Sequence, residues 1–304
     1  MGTKTLLAVG AAALTGLAAY TFTTKYPQWQ RREAARLDAG AEVVATALGS
    51  VEYGKTGEGP TLLCIHGSPG GYDHSMGLAQ IIDTHGFTVL APSRPGYLRT
   101  PLSSGASPEA QADLYAALLD TLDVDQATVM GASGGGPSAL QFALRHPDRC
   151  RGLILLCSVS QRYVEEEVYQ KLSPISRLGK QAVNNLILFE PFIYLLQSLT
   201  DLQKHSPCAD VFSSLSRVSL RKEGYRNDLR QFASMTPYPL KNISVPTFIA
   251  QGTADTEVPF EHAQLLANSI PGARFVSVPG GDHLFFFTHR QEVLPALQDF
   301  LLSL

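Results

Sequence analysis

Three side chains in this sequence have the types and the order to act as nucleophile, acid and base. Ser133 stands in Gly131-Ala132-Ser133-Gly134-Gly135, a G-x-S-x-G pattern. Residues 127–130 before it are apolar and β-prone, and residues 138–144 after it have helical character. That context predicts a strand turning sharply into a helix with the serine at the apex, where only small neighbours fit. Pro137 suits the first helical turn, because its missing N–H costs nothing there. A serine hydroxyl is a poor nucleophile at neutral pH and needs a base. The base in turn needs a carboxylate to fix its tautomer and stabilise its cation. Asp255 and His283 follow the short apolar runs 247–250 and 274–278. In a parallel sheet the ligand crevice opens at such carboxyl ends of strands. Asp282 adjoins His283, and Glu257 shares a loop with Asp255. Adjacent side chains on a turning backbone diverge, so Asp255 is the expected acid and Asp282 is expected to bond its own turn.

The surrounding elements must bring these residues together. The chain has 304 residues, 44% hydrophobic and 17% charged, which fits a globular protein with a sizeable core. A net charge of −3 with dispersed Lys and Arg points away from nucleic acid. Strands predicted near 43–53, 61–65, 87–91, 126–130, 152–157, 247–250 and 274–278 alternate with helices near 75–85, 107–122, 138–144, 260–270 and 291–302. Such alternation implies a mostly parallel central sheet flanked by helices. Between residues 158 and 240 the alternation stops. Helices predicted at 163–172, 184–199, 209–220 and 224–235 make this region an inserted helical cap. The core then comprises residues 41–157 and 241–304, preceded by a linker or short helix at 25–40.

Residues 5–24 carry no charge and are long enough to cross a hydrocarbon core. The expectation is an N-terminal membrane anchor within residues 1–24. A cleaved signal peptide, giving a secreted or periplasmic protein, and a buried helix are the alternatives. Gly49 to Thr56 matches the phosphate-loop pattern G-x-x-x-x-G-K-[ST], but another strand and no helix follows it, so a strand is expected there. His66, Asp73 and His74 have no metal-site spacing, and neither a metal nor a cofactor is implied. Cys64 and Cys157 are expected as buried thiols, and a Cys150–Cys208 disulfide stays open. Arg94 is expected to fix its loop, His66 to be structural, and Phe285, Phe286 and Phe287 to pack in the core or line a pocket.

Taken together, the motifs resemble the α/β-hydrolase superfamily. They are Gly131-x-Ser133-x-Gly135, His66-Gly67 after the third strand, Gly252-x-x-Asp255-x-x-x-Pro259 and Gly281-Asp282-His283. The resemblance covers residues from about 41 to 304. It implies Ser133 as nucleophile, Asp255 as acid, His283 as base, and the backbone N–H groups of Ser68 and Gly134 as oxyanion hole. The loop His66-Gly67-Ser68-Pro69-Gly70 is similar to that of the proline iminopeptidase branch. That branch usually has glycine at position 68 and tryptophan at 134. The reaction expected is hydrolysis of a small-molecule or lipid-like carboxylic ester with an apolar acyl or aromatic group. A cofactor-free C–C bond hydrolase, a haloperoxidase or a peptidase uses nearly the same residues, and a non-catalytic ligand-binding protein can share the fold.

Overall fold

Strands apolar on both faces build the centre of the molecule. The computed structural model describes residues 20–199 and 214–304. Helix α1 (Tyr26–Ala39) leads into the hairpin β1 (Glu42–Thr46) and β2 (Gly49–Thr56), then β3 (Thr61–Ile65). Helix α2 (Tyr72–Ile81), β4 (Thr88–Pro92), α3 (Pro108–Thr121), β5 (Ala127–Ala132), α4 (Gly136–Arg145) and β6 (Cys150–Leu156) follow. The sheet order is β1-β2-β4-β3-β5-β6, continued by β7 (Thr247–Gly252) and β8 (Arg274–Val278). β2 is antiparallel to β1 and β4, and the remaining pairs are parallel. The phosphate-loop lookalike is therefore strand β2 itself.

Side-chain alternation divides the core. Leu63, Ile65, Val129, Leu153 and Leu155 face one layer, packed by α3, α4 and α9 (Glu261–Ser269). Leu62, Cys64, Met130, Ile154 and Leu156 face the other, packed by α2, the end of α1 and α11 (Arg290–Leu302), which follows the short α10 (Phe285–Thr288). A period of two puts successive residues on opposite faces, and helices on both faces bury every one of them. Ser107 caps α3 as expected, accepting from the Ala110 N–H at 3.2 Å ahead of Pro108.

Between β6 and β7 lie α5 (Glu165–Gln170), α6 (Pro174–Ile187), α7 (Glu190–Leu199) and α8 (Lys222–Ala233). The helix expected at 184–199 is two helices that divide near Leu188 and Phe189. Ser173, whose side chain accepts from the Ser176 N–H, and Pro174 start α6 ten residues earlier than the apolar pattern alone suggested. The expected helix at 209–220 falls partly outside the described residues, and its end is a 3-10 turn, Val218–Leu220.

Residues 25–40 are not a linker. The chain is helical without a break from Tyr20 to Ala39, and α1 buries Trp29, Glu33 and Leu37, one turn apart. Trp29 packs on Tyr26 and Tyr194 at 5.8 and 5.6 Å and donates to Gln197 Oε1 at 3.2 Å. The polar composition concealed a helix whose apolar stripe is only one residue wide. Residues 1–19 of the expected anchor lie outside the described residues, as does Cys208 of the open disulfide. Cys150 is buried. Among the described residues no helix is long and apolar enough to cross a membrane.

Trp29 is 4% exposed, so Trp29→Ala should remove about 3–5 kcal/mol of docking. Tryptic cleavage after Arg31 and Arg32 should then appear at protease levels that leave the wild type intact. Unchanged cleavage would show that this contact does not hold α1.

Candidate active site

Ser133 occupies the strained turn that its motif demands. Its φ is +50°, a region L-residues seldom visit, and the elbow passes from β5 through a 3-10 turn, Ser133–Gly135, into α4. The small neighbours are steric necessities. A Cβ at Gly135 would lie 2.5 Å from the Ile65 carbonyl oxygen, and one at Gly131 would lie 2.6 Å from Ala139 Cβ. The Ser133 carbonyl accepts from the Val159 N–H at 3.0 Å, which pins the turn from the following loop.

Two loops bring the expected acid and base to this serine. The segment after β7 lies directly on the segment after β8. A Cβ at Gly252 would sit 2.2 Å from the Gly281 carbonyl, and the Ala254 N–H donates to that carbonyl at 2.9 Å. Only glycine allows this approach. His283 Nδ1 consequently donates to Asp255 Oδ2 at 2.8 Å, while the Ser133 hydroxyl donates to His283 Nε2 at 3.1 Å. The Asp255 carboxylate is fully buried. It also accepts from the N–H groups of Glu257 and Val258 and from Gln251 Nε2 at 2.8–3.0 Å. Burial pulls the His283 imidazole down, but the hydrogen bond and charge of Asp255 outweigh it and raise the pKa above its ordinary value. Asp282 is exposed, and its Oδ1 accepts from the Leu284 N–H at 2.9 Å. Glu257 pairs with Lys180 instead of reaching His283.

Ser68 and Gly134 line the same cavity as Ser133. A Cβ at Gly67 would lie 3.0 Å from Ser133 Cβ, so the loop after β3 runs against the elbow. The two departures from the peptidase-like pattern are one structural event. A Cβ at Gly134 would lie 2.3 Å from Ser68 Oγ, so the serine hydroxyl takes the room a larger residue at 134 would need.

Behind this loop lies a buried polar cluster. His66 donates from Nδ1 to its neighbour's carbonyl, Gly67 O, at 2.7 Å and accepts from the Arg94 N–H at 2.9 Å. Burial, then the nearby Arg94 charge, holds it neutral, well below the usual imidazole range. Arg94 is 1% exposed and does fix its loop, through Gly134 O, Ser68 Oγ and Asp228. Asp228 did not stand out in the sequence. The available signal was its position on the inward stripe of α8, with Gly224, Asn227 and Phe232. Asp73 is held by Arg221 in two bonds of 2.9 and 3.0 Å. Among the described residues no three metal-binding side chains converge.

The cavity above Ser133 has a volume of about 600 Å³. Leu78, Val183, Ile187, Leu188, Phe232 and Phe286 supply apolar wall, and Glu165, Lys180 and Glu257 supply polar wall. Phe285 is fully buried in the core, whereas Phe286 and Phe287 reach the cavity. Two other reactive side chains reach it. Burial pushes the His74 imidazole down to about 4 and the Cys157 thiol well above its usual range, so both are uncharged at neutral pH.

Comparison with known proteins supports the same architecture. A family profile described as alpha/beta hydrolase fold matches residues 60–185. The chain is 34% identical to an alpha/beta hydrolase fold protein from Nakamurella multipartita, with a TM-score of 0.68, over 86% of this chain and 98% of that one. It is 27% identical over 260 residues to the uncharacterized hydrolase YcgS of Bacillus subtilis, covering 78% of this chain and 89% of that one. It is also 27% identical over 218 residues to a pimeloyl-[acyl-carrier protein] methyl ester esterase of Neisseria meningitidis, covering 70% of this chain and 68% of that one.

The geometry separates the two aspartates. Asp255→Asn should cost about 10²- to 10⁴-fold in kcat through the wrong imidazole tautomer, whereas Asp282→Asn should cost less than about 10-fold. A general base acts when neutral, so with His283 in that role kcat/KM should rise with pH through a value above the ordinary imidazole pKa. In Asp255→Asn that limb should move to lower pH, since the carboxylate that chiefly raises the pKa is gone. Steady-state kinetics across pH checks both, and a crippled Asp282→Asn beside a mild Asp255→Asn would reverse the assignment.

Proposed function

This chain belongs to the α/β-hydrolase superfamily and is a hydrolase, and we propose that it cleaves a carboxylic ester with Ser133 as nucleophile. The observation that carries this reading is the unbroken hydrogen-bond path from Asp255 through His283 to Ser133, opening into a largely apolar cavity. Ser133 Oγ attacks the ester carbonyl while its proton passes to His283 Nε2, and Asp255 stabilises the resulting imidazolium. The oxyanion of the tetrahedral intermediate faces the N–H groups of Ser68 and Gly134. Collapse expels the alcohol, which takes the proton from His283. Water then attacks the acyl-serine by the same proton transfers, and the acid product leaves. The steps use no cofactor.

An apolar acyl or aromatic group suits the cavity wall, and a methyl ester esterase among the relatives supports the ester class. Ser133→Ala should keep the fold and lose about 10⁴-fold or more in hydrolysis. A fluorophosphonate probe should label the wild type at Ser133 alone, and esters of graded acyl length should then define the preferred chain. Full activity of Ser133→Ala on every ester turned over would end this reading. Turnover of a C–C bond substrate with no ester turnover would move the enzyme to another reaction class.

We further propose that the protein works at a lipid surface, held by residues 5–24. Support comes from that uncharged segment and from apolar side chains left in solvent on α6 and beyond it: Ile175 (86% exposed), Leu178 (70%) and Phe189 (55%). α7, which packs on α6, also receives α1, and Tyr20 and Phe22 just before α1 are exposed too. The full chain should float with phosphatidylcholine vesicles, and deletion of residues 1–24 should abolish flotation while ester hydrolysis persists. A full chain that stays in solution beside the vesicles would rule this location out.

A further inference from the structure

A buried ion pair ties Ser68 and Gly134 to α8. Arg94 follows β4 in the sheet-bearing part of the chain, and Asp228 lies on α8 between β6 and β7. Their side chains are 1% and 3% exposed. Arg94 Nη1 donates to Asp228 Oδ1 at 2.9 Å and to the Gly134 carbonyl at 3.0 Å. Nη2 donates to Asp228 Oδ2 at 2.5 Å and to Ser68 Oγ at 2.9 Å. The Ser68 and Tyr97 hydroxyls both donate to Asp228 Oδ2. One carboxylate thus receives a guanidinium and two hydroxyls, and one guanidinium grips both residues whose N–H groups would hold the oxyanion.

We propose that Asp228 and Arg94 are positioning residues, through which α8 sets the oxyanion hole formed by Ser68 and Gly134. This rests on the serine-hydrolase reading given above. The Gly134 N–H shares its peptide plane with the Ser133 carbonyl, which the Val159 N–H holds, and Arg94 on the Gly134 carbonyl holds the next plane, so the residue is restrained on both sides of its Cα. Fixing Ser68 Oγ restrains the other donor. Oxyanion donors act through preorganisation, so a small change in aim lowers transition-state binding while ground-state binding persists. Arg94 supplies a planar fork that reaches acceptors on Asp228, Gly134 and Ser68 at once, which a lysine cannot do. The hole is therefore complete only while α8 is docked.

The test uses the full chain with a soluble ester and a fluorophosphonate probe. Asp228→Asn should lower kcat by about 10- to 10³-fold with KM within about threefold, and slow labelling of Ser133 in parallel. The His283 limb of the pH profile should stay in place, since the relay itself is untouched. Ser68→Ala keeps the backbone N–H and loses only the hydroxyl, and it should cost about 10-fold in kcat by the same route. It also serves where Asp228→Asn, which leaves Arg94 unpaired, fails to fold by circular dichroism. In the double variant the two losses should be less than additive. Folded variants with wild-type kcat, or losses confined to KM, would overturn the proposal while the wild type still labels. A wild type that neither labels nor hydrolyses overturns the serine-hydrolase reading, and this proposal with it.

Discussion

Two buried ion pairs of opposite sense fasten the helical insertion to the sheet, and the geometry of the cleft follows from them. In one, the core supplies the cation and α8 the anion, Arg94 with Asp228. In the other, the insertion supplies the cation, Arg221, and α2 the anion, Asp73. Arg221 is fully buried and also donates to the Gly70 carbonyl at 2.8 Å. Burial pushes the Asp73 carboxyl up, but Arg221 and Arg36 more than reverse this and hold it below the usual carboxylate range. A buried pair adds little net stability against an apolar replacement, yet breaking one partner costs about 3–5 kcal/mol. Such pairs therefore fix position. Both clasp the segment from Ser68 to Asp73, which passes Ser133.

The strain at Ser133 belongs to the same economy of space. Its left-handed backbone is held by a turn so crowded that Gly131, Gly134 and Gly135 each lack room for a methyl group. Bonds from flanking segments keep the turn in place: Val159 N–H to the Ser133 carbonyl, and Ser158 Oγ to the Gly131 carbonyl at 2.8 Å. His283 is placed independently, by two loops that meet at Gly252 and Gly281. Asp255 and His283 sit on loops after adjacent parallel strands, and since β8 lies three strands from β5, it is the loop after β8 that carries the imidazole across to Ser133.

Much of this was legible in the residues. The alternation of strands and helices, the sheet they form, and the Ser133, Asp255 and His283 constellation all rest on local patterns: a motif, apolar runs, and the glycines that tight approaches require. β8 runs over the expected residues, and Ser107-Pro108 marks the start of α3. Local pattern was weaker where an element carries a narrow apolar stripe. α1, with three buried side chains one turn apart, fitted a linker as well as a short helix, and α6 has no buried residue at all to mark its face.

What the sequence by itself determined is the fold class and the three residues that meet at the elbow, because each depends on contacts near in the chain or on a spacing that few folds share. Only the tertiary structure decided the partners of buried charge. Asp228 lies 134 residues from Arg94, and Arg221 lies 148 from Asp73. No local periodicity tells a charged residue facing solvent from one facing a counter-charge in the core. That choice is made by desolvation, which acts only once the helices have closed over the sheet and each buried ion must find its opposite.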